Sequence, residues 1–391
     1  MIRNLFLFFC LIILWGCQKD KPQQQTPWGS TLGGEVAASD SRFSLNDIVN
    51  NGEMIMLTIN GPETYYDYHG HGMGLQFLMC EKFAQQLGVS LRVELCKDTA
   101  ELISRLKKGD GDVIAFPLPK GQKDLLYTGP TDGTGKSQWA VKKGNQELAD
   151  TLNRWFKPEM IAQMQKEETF LLSTQSITRH VYSPVLDRSK GVISHYDGHF
   201  RRYAPLVRWD WRLMAAQCYQ ESTFDPNAKS WAGARGLMQI MPKTADQIGL
   251  PLSDINDPER NIAAAASYLQ RLDGLFQDVR SVSERQNFVL ASYNGGHFHI
   301  RDAMALTKKN GGNPYRWSDV SQYVMKLSDP QFYHDPIVKY GYMRGSETVG
   351  YVNSIRVRYN QYRGVPGGSY GTDSYGIQTP RKATKNHRFR I

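Results

Sequence analysis

The chain has 391 residues, 40% of them hydrophobic and 22% charged. That is globular composition, at a length that exceeds one ordinary core and implies two domains. The formal charge of +9 is weighted toward the C terminus, where Arg363, Arg381, Lys382, Lys385, Arg388 and Arg390 face only Asp373. No nucleic-acid motif accompanies the charge, so no nucleic-acid partner is expected; an anionic envelope polymer, a membrane, or plain solubility accounts for it.

Residues 1–17 form a targeting segment. Arg3 supplies the positive start and LFLFFCLIILW the apolar run, too short for a comfortable membrane span. The run ends Leu14-Trp15-Gly16-Cys17, which resembles a bacterial lipobox and implies lipidation at Cys17, with a polar spacer following at once. Residues 18–41 lack periodicity and read as a flexible tether, able to reach roughly 80 Å when extended. Once the signal leaves, Cys80, Cys96 and Cys218 are the thiols not on lipid; Cys80 and Cys96 either pair or stay buried as free thiols.

A small α/β domain is expected over 42–171. Strand patterns at 54–60, 89–96 and 112–118 alternate with amphipathic helices at 75–88 and 99–110, and that alternation predicts a parallel sheet. This block resembles the first lobe of periplasmic amino-acid-type solute-binding proteins, carried by the TYY stretch Thr64–Tyr66 and the GDGDVI run at 109–114. After GKSQWAVKKGNQELADTLNRWF (135–156), which resembles the return strand and final helix, the second lobe is missing. A single lobe cannot close on an amino acid from both sides, so a muropeptide or protein contact, or a scaffold role, is expected instead. Residues 172–191 read as a linker, not a catalytic element.

From Val192 to Tyr362 the patterns are helical, near 195–206, 210–222, 242–248, 258–274, 281–294 and 346–361, with shorter pieces between. Residues 363–391 read as a basic disordered tail. Asp210 is a good N-cap, and Asp257-Pro258 reads as a cap followed by a first-turn proline. In the helix after Asp210, Trp211, Met214, Ala215 and Cys218 share one apolar face, and Glu221 falls in the same stripe. A carboxylate aimed at a core is costly when ionised, which raises its pKa and suits it to donate a proton near neutrality. The structural alternative is a Glu221 that turns to solvent or pairs with Arg235. Asp225, just before Pro226, fits a turn.

Glu221-Ser222-x-Phe224-Asp225-Pro226, then Gly233 and Gly236-Leu237-Met238-Gln239-Ile240-Met241-Pro242, resembles the signature of the soluble-lytic-transglycosylase (SLT) family. Residues 193–222 resemble its membrane-bound F branch. Asn261-Ile262 through Tyr268-Leu269, Tyr293-Asn294-Gly295, and Glu347-Thr348-x-Gly350-Tyr351-Val352 follow in the family's order.

The resemblance implies an α+β multidomain chain, with a single-lobe solute-binding-like domain and then a mainly α, lysozyme-like catalytic domain over 192–362. It implies cleavage of the bond between N-acetylmuramic acid and N-acetylglucosamine in peptidoglycan. Glu221 would be the single general acid/base, and the muramic C6 hydroxyl would close on C1 to leave a 1,6-anhydro end. Ser222 and Gln239 would bond the sugar, Met238 would wall the cleft, Tyr293 and Asn294 would hold the ring, and Tyr351 would donate to the carboxylate or acetamido group. Glu347 fits a structural carboxylate at a helix start. A lipid-anchored, periplasm-facing enzyme, on the outer membrane, needing no cofactor is the expectation. A silent peptidoglycan-binding lipoprotein and a hydrolytic muramidase are the alternatives. The H-x-H pairs His69/His71 and His297/His299 lack a third ligand, so no metal is expected.

Overall fold

The computed structural model describes residues 44–131 and 134–364, together with a two-residue strand pair, β1 (Gln24–Gln25) with β2 (Thr31–Leu32). The expected lipidation at Cys17, nearly all of the tether and the tail beyond Gly364 lie outside the described residues. The described residues from 44 to 364 belong to one compact unit.

Its first half runs α1 (Leu45–Asn51), β3 (Glu53–Ile59), β4 (Tyr66–Tyr68), β5 (His71–Met73), α2 (Leu75–Leu87), β6 (Ser90–Cys96), α3 (Thr99–Lys108), β7 (Val113–Pro119), β8 (Leu125–Thr131), β9 (Ser137–Lys142), α4 (Gln146–Trp155) and α5 (Glu159–Leu171). The five-stranded sheet has the order β6-β3-β7-β9-β8. β3 is parallel to β6 and β7, while β9 is antiparallel to both β7 and β8. The three strands of the strand–helix alternation are therefore parallel, as expected, and β8 and β9 make the whole sheet mixed. β8 and β9 are joined by the short stretch 132–136, and a hairpin imposes antiparallel pairing.

Strand alternation sorts the side chains to two faces. Met54, Met56, Val113, Ala115, Trp139 and Val141 pack in one cluster with α2 and α4, and Leu57, Ile114, Leu118 and Ala140 pack in another with α3. Cys80 belongs to the first cluster and Cys96 to the second; both are buried free thiols, as is Cys218.

The second half is helical: α6 (Asp197–Tyr203), a 3-10 turn (Ala204–Val207), α7 (Trp211–Ser222), α8 (Pro242–Gln247), α9 (Pro258–Leu275), α10 (Val282–Gly295), α11 (His297–Lys309), α12 (Trp317–Lys326), α13 (Pro330–Tyr333) and α14 (Gly345–Arg363). Asp210 caps α7 by accepting from the Arg212 N–H, and Asp257 caps α9 with Pro258 in its first turn. α7 packs against α6 and α14, and every residue from Arg212 to Cys218 is buried. The one-face reading of this helix is thus too narrow: it is a central helix, enclosed nearly all round. Among the described residues no helix is long and apolar enough to cross a membrane.

The loop before α8 depends on Asn261. Its Oδ1 accepts the Met238 N–H at 2.9 Å, and its Nδ2 donates to the Ile255 and Arg235 carbonyls at 2.7 and 3.3 Å. Gly236 has φ of 79°, and a Cβ there would meet Asn261 Nδ2 at 2.4 Å. Both facts require glycine. Gly236→Ala should therefore destabilise the protein by about 2 kcal/mol or more in denaturant titration.

In the α/β half, Asn60 just after β3 and Tyr66 of β4 are covered by the chain's own 333–342 segment. The Tyr342 N–H donates to Asn60 Oδ1 at 2.7 Å, the Tyr342 and Tyr66 rings meet edge-on at 4.9 Å, and Tyr333 packs on Tyr342 at 5.7 Å. Isothermal calorimetry with free amino acids should accordingly detect no micromolar binding.

Candidate active site

Glu221 lies in the last turn of α7, one residue before the C-terminal Ser222. The helix stops because Thr223 and Phe224 both take left-handed backbone, with φ of 53° and 65°. Asp225 secures the turn by accepting the His180 N–H at 2.6 Å and the Asn227 N–H at 2.9 Å. The side chain of Glu221 therefore leaves a buried helix at the floor of a cleft of about 500 Å³.

Burial pushes the Glu221 carboxyl up to about 7. The Tyr351 hydroxyl donates to Glu221 Oε1 at 2.5 Å and works against that rise, as do the charges of His69 and Arg179; the Glu347 carboxylate adds to it. The negative end of the α7 dipole also disfavours ionisation there. Tyr351 is oriented in turn by Gln217, whose Nε2 donates to its oxygen at 3.2 Å. Burial, then the neighbouring Glu221, holds the Tyr351 phenol well above its usual range, so it stays a donor. Arg179 Nη1 donates to the backbone carbonyl of Glu221 at 3.1 Å, satisfying a helix-end acceptor.

The expected site residues divide into two groups. Glu221, Gln239, Tyr293, Asn294 and Tyr351 line the cleft. Tyr293 donates to the Met238 carbonyl at 2.7 Å, and Asn294 Oδ1 accepts from Thr348 at 2.7 Å. Gln239 takes a left-handed φ of 46°; its Nε2 is spent on the Ala228 and Gly236 carbonyls, while its Oε1 is buried without a partner.

Ser222 and Met238 are fully buried and do not line the cleft. Ser222 Oγ donates to the Cys218 carbonyl at 3.2 Å, and Met238 acts on the cleft through its carbonyl. Ser222 follows Glu221 by one position, and the roughly 100° turn of a helix carries it away from the cleft. Arg235 makes no ion pair with Glu221; the partner of Glu221 is Tyr351.

Several cleft residues escape the sequence reading. Leu171–Thr174, Ser176, Ile177 and Arg179 form one wall, so the stretch read as a linker borders the cleft that holds Glu221. Tyr68 and His69, from the α/β half, form another wall with Trp231. Glu347 also lines the cleft, in addition to starting a helix. No local pattern marks these positions, because each is recruited from a distant part of the chain. Among the described residues no group of three potential ligands could hold a metal ion.

The cleft thus holds one carboxyl of raised proton affinity, bonded by a phenol, an arrangement chemically suited to giving and taking a proton near neutrality. The family model described as "Transglycosylase SLT domain" matches residues 200–315, which include Glu221, Gln239 and Tyr293. The matched segment of this chain is thus similar to that domain.

Among curated relatives, the "Membrane-bound lytic murein transglycosylase F" of Desulfosudis oleivorans is 33% identical over 293 residues, 70% of this chain, and the chain spans 62% of that relative's length. The proteins of the same name from Alcanivorax borkumensis and Vibrio cholerae are 28% and 27% identical, over 85% and 92% of this chain and 92% and 85% of theirs. The alignment to the Alcanivorax protein runs over 435 positions, more than this chain contains, so that relative carries sequence with no counterpart here. Similar solved structures include the Escherichia coli soluble lytic transglycosylase SLT70, at 27% identity, 43% of this chain, 24% of that one and a TM-score of 0.29. The arginine-bound domain 1 of TmArgBP is similar at 22% identity, 28% of this chain, 94% of that one and a TM-score of 0.25.

The raised Glu221 pKa has a consequence for stability. A carboxyl that binds its proton more tightly folded than unfolded lowers stability as pH rises from its unfolded value to its folded value near 7. Glu221→Gln should therefore be more stable than the parent at pH 8 by on the order of 2 kcal/mol, allowing for solvent in the cleft. The difference should vanish near pH 4. Paired thermal melts across pH check this, and a constant difference would contradict it.

Proposed function

We propose that the chain is a murein lytic transglycosylase acting on peptidoglycan glycan strands. The observation that carries this is Glu221, its carboxyl raised to about 7 and bonded by Tyr351 in a cleft of about 500 Å³. In the proposed reaction Glu221 protonates the oxygen leaving C1 of N-acetylmuramic acid. As a carboxylate it then takes the proton from the muramic C6 hydroxyl, whose oxygen attacks C1 and closes a 1,6-anhydro ring. One proton is given and one recovered, and no water is consumed, so the step is a lyase reaction. An intramolecular hydroxyl also holds a large effective-concentration advantage over water. Tyr351 would stabilise the carboxylate while it is ionised, and Tyr293 and Asn294 would face the sugar.

The hydrolytic alternative needs a second carboxylate free to hold water, at the wider spacing used by inverting enzymes or the closer spacing of retaining ones. The other carboxylate lining the cleft, Glu347, is engaged by Tyr68 at 2.7 Å and by Arg344 at 3.4 Å, which favours the intramolecular route. The names of the relatives point to membrane association; on this reading an acyl group on Cys17 holds the enzyme on the periplasmic side of the envelope, at the outer membrane.

Digestion of purified peptidoglycan followed by mass analysis tests the proposal. Muropeptides one water lighter than the reducing products are expected, and Glu221→Gln should release none while still sedimenting with the polymer. Reducing ends would instead establish hydrolysis, and binding without products would establish a silent binder.

A further inference from the structure

The β4–β5 hairpin belongs to the α/β half, far in sequence from every signature motif, yet its tip reaches the cleft. The Tyr68 hydroxyl donates to Glu347 Oε1 at 2.7 Å. His69 Nε2 lies 3.9 Å from the same oxygen, and Arg344 Nε takes the other oxygen at 3.4 Å. The tip is built to stay there. Asp67 Oδ1 accepts the Gly70 N–H at 3.0 Å, and His69 sits in left-handed backbone at φ 52°. Tyr68 lies parallel to Trp231, with centroids 6.1 Å apart and 1° between planes. His71 Nε2 bonds the Ala232 carbonyl at 2.7 Å.

We propose that this hairpin completes the active site: Tyr68 and His69 hold the Glu347 carboxylate at the cleft wall as a fixed anion facing Glu221, so that Tyr68 and Glu347 are positioning residues for the proton donor. The inference rests on Glu221 being that donor. The groups that face Glu221 are Tyr351 and Glu347 from α14, Tyr293 from α10, His69 from the hairpin, Arg179 from the segment after α5, and Cys218 on its own helix. Among these Glu347 is the anion. Burial works against its charge, but His69, Tyr68 and Arg344 together outweigh burial and keep it ionised. Its charge in turn favours the protonated form of Glu221. The α/β half thereby acts on the chemistry through one hydroxyl and one carboxylate.

The test uses the full chain, with Glu347→Gln and Tyr68→Phe, and two readouts. The first is the titration midpoint of Glu221, followed by NMR of carboxyl-labelled glutamate and assigned with Glu221→Gln; it needs no turnover. The second is kcat and KM on peptidoglycan across pH. Glu347→Gln should lower the Glu221 midpoint by about one pH unit and move the alkaline limb of activity down with it. Tyr68→Phe keeps the ring stack; it should move the midpoint in the same direction by less and reduce kcat severalfold with KM little changed. A midpoint unmoved in Glu347→Gln, or a Tyr68→Phe protein matching the parent in both midpoint and kcat, overturns the proposal. Should the parent release no products from peptidoglycan, the proposed function falls, while the midpoints alone still decide whether the hairpin positions Glu221.

Discussion

The hydrogen bond from Tyr351 to Glu221 is the contact on which the rest of the structure depends. A carboxyl at the end of a buried helix has two ways to avoid its desolvation cost: it can take up a proton or find a donor. Glu221 does both in part. Burial keeps it protonated near neutrality, and the phenol stands ready to share its charge when the proton leaves. A guanidinium in the place of Tyr351 would hold the group ionised, and an alkyl chain would leave no way to release the proton. A neutral donor permits both states, as the proposed giving and regaining of one proton would require.

That contact needs α7 and α14 held in register, and the loop between α7 and α8 held beneath the cleft. Asn261 does the second task from the start of α9, binding three backbone groups of the loop and its neighbour. Left-handed residues gather around the site, at Thr223, Phe224, Gln239 and His69. Backbone of this kind persists only where the surroundings over-determine it, and here each position either ends the helix that carries Glu221 or borders the cleft.

The α/β half reads differently once its contacts are considered. Its Asn60 and Tyr66 are covered by the 333–342 segment, and its hairpin tip is occupied by Glu347 and Trp231. This half is part of the wall around Glu221, and the 171–179 stretch that follows it forms the neighbouring wall.

Much of this was legible in the sequence. The helix after Asp210, the glycine at 236, the strands and helices of the α/β half and the place of Glu221 on its helix all rest on local periodicity, capping and motif order, which neighbouring residues determine among themselves. Individual helices at 297–309, 317–326 and 330–333, the antiparallel return of β9 and the burial of Ser222 were not legible, since each depends on which surface packs against which. The same holds for Tyr68, His69, Arg179 and the placement of Glu347 in the cleft. Sequence alone could identify an acid and the helix that bears it. Only the tertiary structure decides what surrounds that acid, because a carboxyl's proton affinity is set by solvent exclusion and nearby charges that distant segments bring together.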